Sequence, residues 1–236
     1  MRTPTATAVA AARRRVHAAC LQLVADKLVV GSAGNISERL GDDWMIVSPG
    51  GRLYQSLTPA DYPLVHLESK TINSGLQPTS EIELHLAVFQ AFPSVNAVVH
   101  THSKYAAAFA VARVDLPFVC NENIGPRSES ILVTAPYAAP GTADLGAEAV
   151  RTFHLQPHSR AVLLANHGVV AVGESVEQAY TVAEQVEWIA EVTHHASLIN
   201  PALPGVVTIP VDQQELIGRN YGFKVSRPLP PSRGDV

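Results

Sequence analysis

Cysteine is scarce in this chain, with only Cys20 and Cys120 among 236 residues. Two widely separated thiols make no disulfide framework, so the core must hold the fold, and a reducing cytoplasm is the expected compartment. Charge is sparse as well. Charged residues make up 16% of the chain and the net charge is −4, which leaves no broad basic face for nucleic acid or an anionic membrane. Lysine is limited to Lys27, Lys70, Lys104 and Lys224, so few amines are available for Schiff-base chemistry. No apolar run approaches the ~20 residues needed to cross a bilayer. The Arg13-Arg14-Arg15 cluster ahead of an apolar stretch has the outline of an export signal, but His17, Gln22, Asp26 and Lys27 interrupt it, and a helix surface fits better.

Apolar material, by contrast, is plentiful at 47% of residues. With this length it predicts one sizeable core in a single domain over residues 1–222, followed by a Pro-rich tail over 223–236. The chain is organised around Ala97 to Ser103, AVVHTHS, in which an apolar run leads into His100-Thr101-His102. Read as a buried strand, it projects both imidazoles from one face at roughly 6 to 7 Å in Cα spacing, close enough to grip one divalent ion. An isolated H-x-H is more often one core histidine and one solvated histidine. Two further features argue for a metal: an acidic helix entrance at Pro78-Thr79-Ser80-Glu81, and a second apolar run broken by Asn166-His167-Gly168. A polar triplet inside so apolar a stretch costs free energy unless its groups are bonded.

Periodicity predicts a helix from Thr5 to Leu28 with Val9, Ala12, Val16, Cys20 and Leu23 inward. A small-residue loop, Gly31 to Ser37, leads into strands over Ile36 to Leu40 and Trp44 to Ser48, joined by Gly41-Asp42-Asp43. Ser48-Pro49-Gly50-Gly51-Arg52 forms a second such loop; its N–H groups suit a phosphate or carboxylate, Arg52 offers a bidentate fork, and a plain turn fits too. Pro63 to Leu67 reads as a strand and Glu68 to Gln77 as a surface loop. A helix is predicted over Pro78 to Phe92, with Ser80 and Glu83 as a capping box. Its start also suits an anion held by Thr79 and Ser80. Later elements are a helix over Lys104 to Arg113, strands over Leu116 to Asn121 and Ile131 to Ala135, and a helix over Thr142 to His154. A hairpin over Ala161 to Gly173 follows, then a long helix from Ser175 to Leu198 with Gln178 completing its cap, and a short helix over Asp212 to Asn220. His194 and His195 suit a helix C-terminus and need no catalytic role.

The segments GSAGNIS, SPGG, PTSE, VVHTHS and NHG occur in the order found in the class II aldolase/adducin family, which the sequence resembles from its first helix to Tyr221. Its fuculose-phosphate aldolase branch is the nearest in pattern. The resemblance implies an α/β fold, a three-layer α/β/α arrangement with a central, largely antiparallel sheet. It also implies a fourfold homotetramer with active sites at subunit boundaries. Carried over by motif, the zinc ligands fall on His100, His102 and His167, with manganese or iron as alternatives. Glu81 matches the glutamate that is both a resting-state ligand and the acid/base. The phosphate pocket falls on Gly34, Asn35, Gly51, Thr79 and Ser80, with Gly50 where a hydroxyl is often found. Tyr221 matches a tyrosine that reaches a neighbouring site, and Asn121 stands where the fuculose enzyme has a tyrosine on its aldehyde side.

The implied reaction is cleavage of a ketose 1-phosphate, such as L-fuculose 1-phosphate, to dihydroxyacetone phosphate and an aldehyde through a metal-stabilised enediolate. Glu81 shuttles the proton beside the ketone and Tyr221 serves the aldehyde oxygen. A second reading keeps the metal but changes the reaction, to an epimerase, a sugar-phosphate dehydratase, or a decarboxylase of a small hydroxylated acid, aromatic or not; Arg52 and Gly50 motivate it. A third is a scaffold like the adducin head, against which the complete ligand set counts.

Overall fold

Val98 and Val99 sit side by side in one strand and enter two different cores. That alternation, the period-two geometry of a pleated strand, divides the whole molecule. The computed structural model describes residues 3–124, 126, 130–134, 136–199 and 205–220. Its strands are β1 (Asn35–Leu40), β2 (Trp44–Val47), β3 (Leu64–His66), β4 (Ile72–Ser74), β5 (Ala97–Thr101), β6 (Leu116–Pro117), β7 (Ser130–Ile131), β8 (Ala161–Leu164) and β9 (Gly168–Gly173). Its α-helices are α1 (Ala6–Ala25), α2 (Ile82–Ala91), α3 (Lys104–Ala112), α4 (Ala143–Leu155), α5 (Val176–Ile199) and α6 (Val211–Asn220).

Seven strands form one sheet in the order β4-β3-β2-β1-β5-β9-β8, and every ladder in it is antiparallel. One face packs Ile36, Ile46, Val99, Val169 and Ala171 against the inward stripes of α1, α3 and α5. The other packs Met45, Val47, Val98, Val170 and Val172 against Leu84, Phe89, Leu145 and Phe153 of α2 and α4. This is the expected three-layer α/β/α arrangement. Among the described residues no helix is long and apolar enough to cross a membrane.

Four local expectations need correction. Glu68 to Gln77 is more than a loop, since Ile72–Ser74 adds an edge strand to β3. The helix expected from Pro78 begins only at Ile82. Pro78 pairs instead with Pro49 in an antiparallel bridge, and Thr79 N–H donates to Ser48 O at 2.9 Å, so this backbone is committed before the helix starts. The Ser80/Glu83 capping box is therefore absent: Glu81 holds the N-cap position with no side-chain cap bond, and Glu83 pairs with Lys70 at 2.6 Å. The strands expected over Leu116 to Asn121 and Ile131 to Ala135 shrink to the two-residue β6 and β7. There Asn123 Oδ1 accepts from the N–H groups of Val119 and Cys120 and turns the chain away. At the start of α5, Gln178 N–H donates to Ser175 Oγ, while the Gln178 side chain accepts from Glu174 N–H. Ala135, Tyr221 and the tail lie outside the described residues.

Where β9 begins, the sheet is unusually close. A Cβ on Gly168 would stand 2.0 Å from Thr101 O, a backbone atom of β5 that cannot swing aside. Gly168→Ala is expected to destabilise the protein by about 3 kcal/mol or more, at the upper end for overpacking, because β5 and β9 must part. Chemical denaturation measures this, and a loss under about 1 kcal/mol would contradict the close approach.

Candidate metal centre

His100 lies in β5 between cross-strand neighbours Asn35 of β1 and Val170 of β9, so its ring shares the α2 face of the sheet. His102 follows just beyond the strand end, its N–H donating to Leu28 O at 3.1 Å. His167 sits in the tight turn from β8 to β9, where Asn166 adopts a left-handed conformation (φ 54°) and His167 N–H donates to Leu164 O. Asparagine tolerates that conformation better than most residues. Glu81 enters from the start of α2. Four side chains from three separate elements thus offer ligand atoms that all lie within 4.8 Å of one another.

Their spacing suits a small cation. His100 Nε2 is 3.0 Å from His102 Nε2 and 3.3 Å from Glu81 Oε2, and His167 Nε2 is 3.3 Å from Glu81 Oε1. Ligands at about 2.0 to 2.1 Å from a tetrahedral ion stand roughly 3.3 to 3.4 Å apart, so these separations are close to the edges of such a site. The three rings meet edge to face at centroid distances of 4.6 to 4.8 Å. His100 Nδ1 lies 2.8 Å from Val169 O; an N–H there leaves the Nε2 lone pair facing the cluster. Glu81 Oε1 and His167 Nδ1 are buried and have no hydrogen-bond partner in the structure. An orphaned carboxylate oxygen facing imidazole nitrogens is what a bound cation would satisfy, so the residues fit a metal ion.

Beside the cluster lies the wall expected to hold an anion. Gly34 (φ 74°) is pinned by Tyr54 Oη donating to its carbonyl at 2.6 Å, and a Cβ there would strike Val29 and His100 O. Gly50 abuts Pro78, Thr79 and Ser80, but its N–H is taken by Gln77 O and that of Thr79 by Ser48 O. The N–H groups of Gly51 and Ser80 have no partner among the described residues. Asn35 donates to Glu81 Oε2 at 2.8 Å and to Thr79 Oγ1 at 3.2 Å. Thr79 Oγ1 also accepts from Glu81 N–H at 3.2 Å, which leaves its own hydrogen to donate elsewhere. Arg52 and Asn121 are exposed, and Tyr221 falls outside the described residues.

A family model for the class II aldolase and adducin N-terminal domain matches residues 14–194. The chain belongs to that family. The 5-deoxy-D-ribulose 1-phosphate aldolase of Bacillus thuringiensis serovar kurstaki is 32% identical over 213 residues, which is 89% of this chain and 94% of that one. The L-fuculose phosphate aldolase of Methanococcus vannielii is 35% identical over 178 residues, 74% of this chain and 91% of that one. Among solved structures, an L-fuculose 1-phosphate aldolase superposes with a TM-score of 0.79 at 26% identity, covering 90% of this chain and 96% of that chain. The relatives are named as aldolases, which are carbon–carbon lyases, and the chain shares with them the class II aldolase fold.

One residue of this centre, His85, carries no mark in the sequence motifs. His85, fully buried, lies one helical turn beyond Glu81, and its Nδ1 stands 2.6 Å from Ser37 Oγ. The i, i+4 spacing of Glu81 and His85 was the available signal.

Electrostatics couples the centre to pH. Burial alone would raise the Glu81 pKa, but the close approach and charge of His100, the charge of His167 and the Asn35 donor outweigh it and hold the carboxyl below its ordinary range. Burial lowers the His102 and His167 pKa values to about 4, aided by neighbouring imidazole charge, and that of His85 to about 3. The unfolded chain therefore binds more protons than the folded one once the pH falls below the ordinary histidine value of 6.5, and stability must drop with acidification from there toward pH 4. Glu81 adds to the loss below its own ordinary 4.5. Urea denaturation of metal-free protein should show this decline, and His85→Gln should make it shallower by up to about one proton, roughly 1.4 kcal/mol per pH unit. Equal slopes for parent and variant would contradict the buried neutral ring.

Proposed function

We propose that this chain is a zinc-dependent aldolase that cleaves a ketose 1-phosphate to dihydroxyacetone phosphate and an aldehyde. The observation that carries the reading is the double engagement of Glu81: its carboxylate faces His100 and His167 and accepts from Asn35, while its backbone N–H donates to Thr79 Oγ1. A proton carrier thus stands between a metal centre and a set of hydrogen-bond donors suited to a phosphate. Three nitrogen ligands at near-tetrahedral spacing favour zinc over manganese or iron. When bound, the ion supplies Lewis-acid chemistry at the substrate's ketone and hydroxyl oxygens.

The chain's own residues supply the rest. The Thr79 hydroxyl and the N–H groups of Gly51 and Ser80 bind the phosphate, with the Ser80 hydroxyl beside them. Gly34 and Gly50 act through the space they leave, since a side chain at Gly50 would approach Pro78 O to 3.0 Å. Asn35 orients the Glu81 carboxylate. As the bond between the ketone-bearing fragment and the aldehyde breaks, the electron pair stays on the carbon next to the ketone; Glu81, ionised at rest, takes up one proton from water and delivers it there, so that one proton reaches carbon as one leaves the hydroxyl that becomes the aldehyde. Tyr221, from a neighbouring subunit of a fourfold homotetramer, relays the proton leaving the aldehyde oxygen to water, its hydroxyl accepting that proton as it gives up its own. The exposed apolar side chains of Trp188, Leu198 and Ile199 on α5 offer surface that such an assembly would cover. The relatives named as fuculose phosphate and 5-deoxy-ribulose phosphate aldolases support this substrate class.

Release of dihydroxyacetone phosphate from a panel of ketose 1-phosphates, before and after chelation, tests the assignment. Chelator-sensitive cleavage is expected for at least one member, and Glu81→Gln should lower kcat by about 100-fold or more. Absence of chelator-sensitive cleavage, or an unimpaired Glu81→Gln variant, would overturn it. Decarboxylation of a hydroxylated acid without phosphate would instead favour a carboxylate at Arg52, which is exposed and unpaired among the described residues.

A further inference from the structure

Behind Glu81 a chain of polar groups runs into the core. Glu81 Oε2 accepts one hydrogen of Asn35 Nδ2 at 2.8 Å, and Thr79 Oγ1 accepts the other at 3.2 Å. An ionised carboxylate can only accept, so the Asn35 carboxamide must turn its nitrogen toward Glu81 and its oxygen inward. That oxygen lies 2.5 Å from His85 Nε2. It too can only accept, so Nε2 must carry the ring proton. His85 Nδ1 is then the acceptor for Ser37 Oγ at 2.6 Å. Each group donates to the next in one direction, from Ser37 through His85 and Asn35 to Glu81. Ser37 and His85 are 0% exposed and Asn35 is 2% exposed, so no solvent can stand in for a missing link. The fold places the members without strain: Asn35 and Ser37 share one face of β1, and His85 follows Glu81 by one turn of α2.

We propose that His85 is a positioning residue: as the neutral Nε2–H tautomer set by Ser37, it locks the Asn35 carboxamide in the orientation that delivers an amide hydrogen to Glu81. Without a donor at that point the carboxamide is free to flip. Flipped, it sets Oδ1 against the carboxylate, and both Glu81 and Thr79 lose a donated hydrogen. Groups that orient a metal ligand in this way typically change metal affinity by 10- to 100-fold when removed. The inference rests on the reading of Glu81 as a proton carrier beside the metal, and it deepens that reading by naming what aims the carboxylate.

Two readouts are independent of turnover. Long-range proton–nitrogen correlation of metal-free protein should show His85 as the Nε2–H tautomer at neutral pH. Chelator competition with zinc should show about 10-fold weaker binding for His85→Leu and near-parental binding for His85→Gln, whose side-chain amide can donate to Asn35. In the aldolase assay, His85→Leu should lower kcat by about 10-fold with KM within about twofold, and His85→Gln should recover most of it. An Nδ1–H tautomer would overturn the proposal, as would Leu and Gln variants that bind zinc equally well or equally poorly. Should the Leu variant not fold, Ser37→Ala removes the donor that sets the tautomer. It is expected to admit the Nδ1–H form and weaken zinc binding, and parental behaviour there would overturn the proposal. A parent protein without aldolase activity would sink the assigned reaction, while the tautomer and the zinc affinities would still decide the role of His85.

Discussion

Glu81 is 7% exposed, its carboxylate stands 3.3 Å from the Nε2 atoms of two imidazoles, and among the described residues its side-chain hydrogen-bond donor is Asn35. A buried charge in that state is costly, and it persists only where positive charge and fixed donors surround it. Everything near the centre answers to this requirement. His100 and His167 face the carboxylate, Asn35 is turned to serve it, and the burial that keeps His102 and His167 neutral also keeps their lone pairs available for a cation. A metal at the centre satisfies the orphaned Glu81 Oε1.

The antiparallel sheet makes this possible by bringing distant sequence to one end of the molecule. Pairing of β5 with β1 and β9 sets His100 beside Asn35 and aligns the β8 to β9 turn, so that His167 arrives without a long loop. The bridge between Pro49 and Pro78 fixes the approach to α2 and thereby the position of Glu81. Gly168 and Gly34 allow the backbone contacts that draw these pieces together, against Thr101 O and His100 O respectively. Packing, register and the charge at the centre are one problem with one solution.

The sequence was informative where the signal is periodic or chemically costly. The inward stripe of α1, the alternation in β5 and β9, and a polar Asn-His-Gly break in an apolar run each have a physical meaning that survives without neighbours. It misled where a local motif competes with a distant contact. Ser80 and Glu83 have capping-box spacing, yet the pairing of Pro78 with Pro49 spends the preceding backbone elsewhere. The edge strand Ile72–Ser74 is mostly exposed and carries no apolar alternation, so nothing local marks it. His85 looks like one more member of an apolar helix face until the structure shows Asn35 and Ser37 against it. Asn35 opens β1 and directs both amide hydrogens to Thr79 and Glu81.

The central claim is that Glu81, His100, His102 and His167 hold a single cation. X-ray absorption on stoichiometrically zinc-loaded protein tests it most directly, alongside the His167→Ala variant. The account predicts three imidazole nitrogens at about 2.0 to 2.1 Å with oxygen completing the shell, and loss of one imidazole in the variant. A shell with fewer imidazoles, or one that His167→Ala leaves unchanged, would contradict it.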